Sequence, residues 1–340
     1  MLDKIYAHFL EKRRAQNLAK RADFALEIPI LSVGNLTTGG TGKTPAVQWL
    51  ARFLAAQNSQ IGIAARGYKG EKSGIGALVC DGKTVFESAK TAGDEAILHA
   101  RNLPGAVVAI AAQREKAVEI CVQNGAQVVI LDDGFQFWSL PRRFDLVLLD
   151  AQKPFGPNEK LLPLGRLREE PQALGRADAI LFTRSENADK TALETRVRRF
   201  CDAPIFWSVH APRDLKNEQT GEIVPLEWLR NREIEAIAGL ADNAQFFDSL
   251  QKLGAKIRAK HEGKDHQNWS GQERENQKFP AVTTEKDAVK MRFNSEELPV
   301  FSLRIALQIE RESELQSLIL GKLGRSCERN FSCNRISCGS

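Results

Sequence analysis

The chain has 340 residues, of which 42% are hydrophobic and 27% charged, and its formal net charge is +5. This composition excludes a disordered or fibrous protein and leaves room for two folded domains. The sequence has no run of about eighteen apolar residues, which a membrane-spanning helix needs, and no charged and apolar leader with a small-residue cleavage site. We therefore expect a cytoplasmic protein.

The six cysteines show no C-x-x-C spacing, so the sequence predicts neither a disulfide framework nor a zinc site. The positive charge is mild, and no block of arginine and aromatic residues indicates a nucleic-acid partner. An anionic substrate or a membrane surface suits this charge equally well.

Residues 1–27 predict an amphipathic helix with basic residues around an apolar stripe. The stripe consists of five side chains: Leu2, Ile5, Tyr6, Phe9 and Leu10. Two interpretations remain open, a helix that lies on a bilayer and a helix that docks on its own domain. The exposure of Phe9 distinguishes them.

Residues 28–215 are predicted to form the larger domain, because short β-rich runs alternate with helical stretches. Six runs are predicted as strands: residues 28–33, 61–65, 107–110, 128–131, 146–149 and 179–182. This alternation is typical of a doubly wound, mostly parallel sheet. A further run, residues 77–86, has Asp-Gly at its centre and predicts a hairpin that interrupts the alternation.

Residues 216–325 repeat the strand and helix pattern and predict a second, smaller α/β domain. The boundary between the domains is expected near residues 205–225. Residues 326–340 are polar and without periodicity, so we predict a disordered tail.

A glycine-rich loop follows the first predicted strand and precedes a predicted helix. It consists of Thr37, Thr38, Gly39, Gly40, Thr41, Gly42, Lys43 and Thr44. Such glycines let backbone N–H groups surround phosphate oxygens, while Lys43 reaches the β- and γ-phosphates and Thr44 binds Mg²⁺. The strict G-x-x-x-x-G-K-[ST] pattern has glycine where this chain has Thr37. The loop predicts a P-loop NTPase-like domain, and a glycine-rich turn without a ligand is the alternative.

Two carboxylates, Asp132 and Asp133, end the apolar run 128–131. A P-loop protein uses this arrangement to hold the Mg²⁺ of Mg-ATP. Asp residues at a strand end also cap turns, so both interpretations stand.

Three other segments contain candidate residues, each with a structural alternative. Asp94 and Glu95 open a predicted helix, where carboxylates also serve as caps. Arg166 and Arg168 lie in a Pro/Gly loop that is either a surface loop or an anion clamp. His266 lies in a polar segment, where an exposed histidine often has no task.

In order, these motifs resemble the tetraacyldisaccharide 4'-kinases, which phosphorylate a lipid A precursor. The segments that carry the resemblance span most of residues 28–290: Val33-Gly34-Asn35-Leu36, residues 39–45, Arg66-Gly67-Tyr68, Gly93-Asp94-Glu95, Leu131-Asp132-Asp133-Gly134-Phe135-Gln136, Leu167-Arg168-Glu169, Ala238-Gly239-Leu240, Asp265-His266-Gln267 and residues 284–290.

The resemblance implies catalytic roles for individual residues. Asp94 is implied as the base for the substrate hydroxyl, with His266 paired to it. Glu95 and either Asp132 or Asp133 are implied near Mg²⁺. Lys43, with a contribution from Arg168, is implied to neutralise the transferring phosphoryl group.

The chain departs from the family pattern in two places near the acidic pair. Phe137 stands where the resemblance leads us to expect histidine, and Arg143 stands where it leads us to expect aspartate. The alignment around His266 rests on few residues, so His261 remains an alternative partner for Asp94.

The implied function is ATP- and Mg²⁺-dependent phosphorylation of the 4'-hydroxyl of a tetraacyldisaccharide 1-phosphate, which forms lipid IVA. The implied protein is a monomer with a lipid substrate and no nucleic-acid partner. It has two domains joined by a two-stranded linker, and its N-terminal helix touches the cytoplasmic face of the inner membrane.

Two other functions are compatible with parts of the sequence. A GTP-dependent switch would use [NT]-K-x-D to read guanine, and the segment Thr284-Glu285-Lys286-Asp287 lacks that spacing. A non-catalytic membrane-surface protein would rely on the N-terminal helix alone. Replacement of Asp94 distinguishes it, because only an enzyme would lose phosphoryl transfer while it remained folded.

Overall fold

A computed structural model of the chain describes residues 2–21, 24, 26–240, 242–264, 269, 277–294 and 296–330. These residues contain thirteen strands: β1 Ile30–Asn35, β2 Ile61–Ala65, β3 Ala77–Asp81, β4 Val107–Ile110, β5 Val128–Asp132, β6 Phe144–Asp150, β7 Ala179–Thr183, β8 Ile205–Asn217, β9 Ile223–Val224, β10 Glu233–Ala238, β11 Lys256–Glu262, β12 Ala281–Thr284 and β13 Val300–Ile309.

The same residues form nine α-helices: α1 Leu2–Lys20, α2 Lys43–Ala55, α3 Ala89–Ala92, α4 Asp94–Asn102, α5 Arg114–Gln123, α6 Lys190–Val197, α7 Asn243–Lys252, α8 Glu285–Ala288 and α9 Glu312–Asn330. Short 3₁₀ turns at Pro171–Arg176 and Leu226–Leu229 complete the secondary structure.

The first half of the sheet has the strand order β8-β7-β6-β1-β5-β2-β4-β3. All its pairs are parallel except β3 with β4 at the edge. Its central strands are buried apolar runs, because helices cover both faces of such a sheet. The predicted α/β fold with a mostly parallel sheet is confirmed.

The second half of the sheet has the order β11-β10-β12-β13, with parallel pairs. The long strand β8 joins the halves. Its first residues pair with β7, and from Ser208 onward it pairs antiparallel with β13. The domain bounds drawn from the sequence remain a prediction, with β8 and β13 as the two strands between the sheet halves.

Two local expectations differ from the structure. Only the first arm of the predicted hairpin is a regular strand, β3, and the second arm contributes one bridge between Cys80 and Val85. The C-terminal helix α9 continues to Asn330, five residues into the predicted tail. Its buried Leu315 and Ile319 pack on the main core, which anchors the helix. Residues 331–340 lie outside the described part.

The N-terminal stretch forms the predicted helix, α1. Two of its aromatic side chains, Tyr6 and Phe9, differ in their exposure. Tyr6 packs beside a buried cluster, and its hydroxyl donates to the backbone oxygen of Arg168 at 3.3 Å. Phe9 is 59% exposed. One side of α1 therefore docks on the protein while Phe9 faces outward. Among the described helices, none has the length and apolar character needed to cross a bilayer.

Candidate active site

The glycine-rich loop connects β1 to α2 at the carboxyl edge of the central strand. Gly42 precedes α2 with φ at 80°, a left-handed conformation that favours glycine. A Cβ at Gly42 would lie 2.6 Å from the ring of His210. Thr37, in contrast, does not adopt a positive φ, and its backbone bridges to Leu167. The side chain of Thr37 is therefore tolerated where the strict pattern has glycine.

Asn35, the last residue of β1, organises the loop from beneath. Its buried amide nitrogen donates to the backbone oxygen of Thr37 and to Oγ1 of Thr41, both at 2.8 Å. Its side-chain oxygen accepts from Nζ of Lys43 at 3.4 Å. The backbone N–H of Thr38 donates to the Arg166 oxygen at 2.8 Å. These bonds hold the loop and its lysine in position.

Asp133 is held by two cations. Nη1 of Arg168 lies 2.7 Å from both carboxylate oxygens, and Nζ of Lys43 lies 3.7 Å from one of them. Burial alone would raise the pKa of Asp133, but Lys43 and Arg168 outweigh it and hold the pKa below its usual value. Asp133 thus stays ionised and links the Arg168 loop to the phosphate loop.

Asp132 has a different partner, the fully buried His99 of α4. The Nε2 of His99 lies 3.2 Å from Oδ2 of Asp132. The other oxygen of Asp132, Oδ1, is buried without a hydrogen-bond partner among the described residues. His99 therefore fixes one oxygen of the carboxylate and leaves the second available.

Glu95, in the first turn of α4, has a strongly perturbed carboxyl group. Burial first, and then the negative charges of Asp132 and Asp94, raise its pKa to about 7 against the opposing effect of Lys43 and Lys286. Groups from both halves of the sheet therefore act on one carboxylate. Strongly perturbed side chains of this kind cluster at functional sites.

Asp94 is buried at the start of α4, next to this group. Its Oδ1 accepts from the Glu95 backbone N–H at 3.0 Å, and its Oδ2 lies 4.0 Å from Nζ of Lys286. The alternative partner His261 hydrogen-bonds Glu235 at 3.0 Å. His266 lies outside the described residues, so its pairing with Asp94 stays a prediction.

Gln136 ties the Arg168 loop to the central strand. Its amide nitrogen donates to the Asn35 backbone oxygen at 3.0 Å and to Glu169 at 2.9 Å, and its oxygen accepts from Arg168 at 3.3 Å. Hydrogen bonds of Gln136 thus fix the loop that contains Arg168 as part of the site. The arginine contacts a carboxylate here, so its action on phosphate stays a prediction.

Phe137, which replaces the expected histidine, packs against Arg114. The guanidinium carbon lies 4.7 Å from the centre of the ring. Arg114 is 1% exposed, and burial lowers its pKa to about 10 against the opposing effect of Asp132 and Asp133. It stays protonated at neutral pH and adds a buried positive charge behind the acidic pair.

The acidic residues fit a divalent cation such as Mg²⁺. Within the described ranges no three His, Cys, Asp or Glu side chains form a ready-made metal cluster. Mg²⁺ does not require one, because it keeps several waters and binds through one or two carboxylates plus substrate phosphates. The unpartnered Oδ1 of Asp132 supplies the kind of oxygen it prefers. Both oxygens of Asp133 are engaged by Arg168, so Asp132 is the better candidate.

Sequence reasoning found the phosphate loop and the carboxylates but missed several supporting residues. His99 lies about one and a half turns along the helix that Asp94 opens. It is four residues after Glu95, a spacing that places the two side chains on the same face of the helix. Lys286 was part of the resemblance and of the segment compared with the guanine-reading motif, but it had no assigned role, and no local pattern connects it with Asp94. Asn35 was part of the resemblance without an assigned role.

The central parallel sheet, the phosphate loop after β1 and the carboxylates facing Lys43 define a P-loop phosphotransferase. The family described as tetraacyldisaccharide-1-P 4'-kinase matches residues 1–324. The chain belongs to this family and is a kinase.

Individual relatives agree with this assignment. The tetraacyldisaccharide 4'-kinase of Syntrophotalea carbinolica is 36% identical over 86% of this chain and 82% of its own length. That of Anaeromyxobacter sp. (strain K) is 39% identical over 77% of this chain and 72% of its own. The structure is similar to LpxK from Aquifex aeolicus, solved in complex with ATP, with a TM-score of 0.77, 32% identity and coverage of 95% of this chain and 99% of that one.

Proposed function

We propose that the chain transfers the γ-phosphate of ATP to the 4'-hydroxyl of a tetraacyldisaccharide 1-phosphate, which forms lipid IVA in lipid A biosynthesis. One observation carries the proposal. Lys43 from the phosphate loop, Asp132 from β5, Asp94 from α4 and Lys286 from α8 all act on the carboxyl group of Glu95. A nucleotide-binding loop and acidic residues suited to a hydroxyl acceptor therefore meet at one place.

Asp94 is the proposed base. As the 4'-oxygen bonds to the γ-phosphorus and the bond to the β-phosphate oxygen breaks, the hydroxyl proton passes to a carboxylate oxygen of Asp94. In a loose phosphoryl transition state this proton leaves late, so charge neutralisation at the phosphoryl group dominates. Lys43 neutralises negative charge on the transferring group, and its contact with Asn35 holds it in the loop.

Thr44, Glu95 and Asp132 are the proposed residues for Mg²⁺. When bound there, Mg²⁺ would offset the negative charge of the phosphate groups during the transfer. Because the pKa of Glu95 is near neutrality, its carboxyl group carries a proton part of the time in the protein without nucleotide. The contact of His99 Nε2 with Oδ2 holds Asp132 in one orientation.

The proposed place of action is the cytoplasmic face of the inner membrane, reached by a monomer through α1. The exposed Phe9 and the exposed basic residues Lys12, Arg13 and Arg14 support this placement. An apolar ring with cations beside it favours the interface of a membrane that contains anionic lipids. Tyr6 on the docked side keeps the helix attached to the loop that contains Arg168.

The proposal is tested with the Lys43→Ala variant, purified lipid acceptor and Mg-ATP. Loss of the cation at the transferring phosphoryl group is expected to reduce turnover by about a thousandfold or more. Lys252→Ala, at an exposed lysine on α7, is the matched control. Full turnover by Lys43→Ala would show that the phosphate loop is not the catalytic nucleotide site.

A further inference from the structure

We infer that Asp287 is a positioning residue for the phosphoryl transfer, because it holds α8, and with it Lys286, against the proposed base Asp94. The inference rests on the proposed function, since it takes Asp94 as the base. Asp287 lies in the segment 284–290, which is part of the resemblance to the kinase family. Asp287 itself supplies no group to the proposed chemistry.

The carboxylate of Asp287 is fully buried and connects three segments of the second half of the sheet. Its Oδ2 accepts from the backbone N–H of Gly239 at 2.9 Å and from the hydroxyl of Thr284 at 2.7 Å. Its Oδ1 accepts from Nε1 of Trp269 at 3.1 Å and lies 2.8 Å from Nζ of Lys290. One side chain therefore joins the end of β10, the start of α8 and the connection between β11 and β12.

The charge and the position of this carboxylate are both fixed. Burial alone would raise the pKa of Asp287, but Lys290 and the hydrogen bonds from Gly239 and Thr284 outweigh it and hold the pKa below its usual value. The backbone of Gly239 approaches so closely that a Cβ there would lie 3.0 Å from Oδ1 of Asp287. An ionised acceptor thus stands at one defined place in the packed interior.

Asp287 sets the start of α8 together with Thr284. The backbone N–H of Asp287 donates to the hydroxyl oxygen of Thr284 at 3.1 Å, and the same hydroxyl donates to Oδ2 of Asp287. Thr284 thereby caps the helix. Because α8 has only 4 residues, its own backbone hydrogen bonds are too few to hold its orientation. The contacts of Asp287 and Thr284 therefore determine its direction.

The two residues that precede Asp287 both reach α4. Glu285 accepts from the amide of Asn102 at the end of α4 at 2.7 Å, and Nζ of Lys286 lies 4.0 Å from Oδ2 of Asp94 at its start. A misplacement of about 1 Å can lower a catalytic rate by about a hundredfold. A small rotation of α8 is therefore enough to weaken the action of Lys286 on Asp94. Since Asp287 has no exposed surface, it acts on Asp94 through α8.

The test is a double-substitution cycle in kcat on the full chain, with saturating Mg-ATP and a tetraacyldisaccharide 1-phosphate in mixed micelles. The four proteins are the unsubstituted chain, Asp287→Asn, Lys286→Met and the double variant. Asparagine keeps the shape of the side chain but puts a donor where one acceptor oxygen stood. Asp287→Asn should lower kcat by about tenfold while Lys286 is present, and by about twofold at most in the Lys286→Met background, because the two residues act through one contact. The KM for ATP should stay unchanged.

A second pair of variants tests the same connection even if Asp287→Asn does not fold. Thr284→Val removes the hydroxyl at nearly the same volume, and Thr284→Ser keeps it. Thr284→Val should lower kcat by about fivefold, whereas Thr284→Ser should stay close to the unsubstituted protein, since only the serine preserves both hydrogen bonds with Asp287. Circular dichroism at the assay temperature checks that each variant is folded.

Two results would overturn the inference. One is a loss of kcat from Asp287→Asn that is equally large with and without Lys286, because the carboxylate would then act on the fold in general. The other is equal kcat in Thr284→Val and Thr284→Ser. Absence of 4'-phosphorylated product with the unsubstituted protein would instead contradict the proposed function itself.

Discussion

Nζ of Lys286 lies 4.0 Å from Oδ2 of Asp94, and this pair joins the two halves of the sheet. Lys286 lies in α8 after β12, and Asp94 opens α4 in the first half. A second contact supports the same junction, because the amide of Asn102 at the end of α4 donates to Glu285 at 2.7 Å. The catalytic carboxylate proposed here is thus held partly by the half of the sheet that does not contain the phosphate loop.

Replacement of Lys286 by methionine should lower kcat by about tenfold or more, because a cation acting on Asp94 and Glu95 is lost. The affinity for ATP should change little, since the phosphate loop is built from other residues. Steady-state kinetics at saturating lipid acceptor measure both quantities. Lys286→Arg should retain more activity than the methionine variant, and an unchanged kcat in Lys286→Met would exclude a role for the pair.

His99 should control the cation affinity of the site. In His99→Leu, the buried Oδ2 of Asp132 loses its partner, and we expect Mg²⁺ to bind about tenfold more weakly in the presence of nucleotide. Nucleotide binding without Mg²⁺ should be unaffected. Titration of Mg²⁺ against a fluorescent ATP analogue measures this. His99→Gln, which keeps a side-chain N–H donor, should recover part of the affinity, and equal Mg²⁺ affinity in all three proteins would refute the prediction.

Glu95 should make the stability of the nucleotide-free protein depend on pH. Its pKa is about 7 in the folded protein, above its usual 4.5. Below pH 4.5, the usual pKa, the carboxyl group of Glu95 is protonated in both the folded and the unfolded protein. As pH rises through 4.5 toward 7, the unfolded chain releases the proton more readily, so stability falls.

Glu95→Gln cannot ionise and should therefore be more stable than the unsubstituted protein at about pH 8, on the order of 2 kcal/mol. The difference should shrink toward about pH 5. Urea unfolding in the presence of a chelator at the two pH values measures it. A stability gain that is the same at both pH values, or a loss that grows with pH, would contradict the assigned shift.

Phe9 should contribute to membrane binding without contributing to folding. Phe9→Ser removes an exposed ring, so thermal stability should stay unchanged. Binding to vesicles with anionic lipid should weaken by about tenfold, the effect of about 1.5 kcal/mol of lost apolar burial. Ile75→Ser, at another exposed apolar side chain, is the control and should bind normally. If Phe9→Ser and Ile75→Ser cosediment with the vesicles to the same extent, α1 is not part of the membrane-contact surface.

The parts of the site that were predictable from the sequence are those whose residues lie within one short segment of the chain. The phosphate loop has its own pattern, and the carboxyl edge of a parallel sheet brings Asp133 close to Lys43 without further information. The opposite is true of Lys286, which reaches Asp94 only because β8 and β13 place the second half of the sheet against α4. The contact of Phe137 with Arg114 was also not predictable, because it depends on the position of α5.

The N-terminal helix also shows why pattern alone left two interpretations open. The apolar spacing is the same for a docked helix and for an interfacial one. The structure divides the stripe, because Tyr6 reaches the loop that contains Arg168 while Phe9, one turn further along, faces outward. Only the packed arrangement distinguishes the two side chains.

The central claim is tested most directly by incubating the purified full chain with Mg-ATP labelled at the γ-phosphate and a tetraacyldisaccharide 1-phosphate in mixed micelles, and locating the label in the product. The account predicts one labelled phosphate on the 4'-oxygen, formed by the unsubstituted protein and lost in a folded Asp94→Asn variant. Absence of a lipid product while an authentic kinase of this family is active in the same mixture, or label on another oxygen, would contradict it.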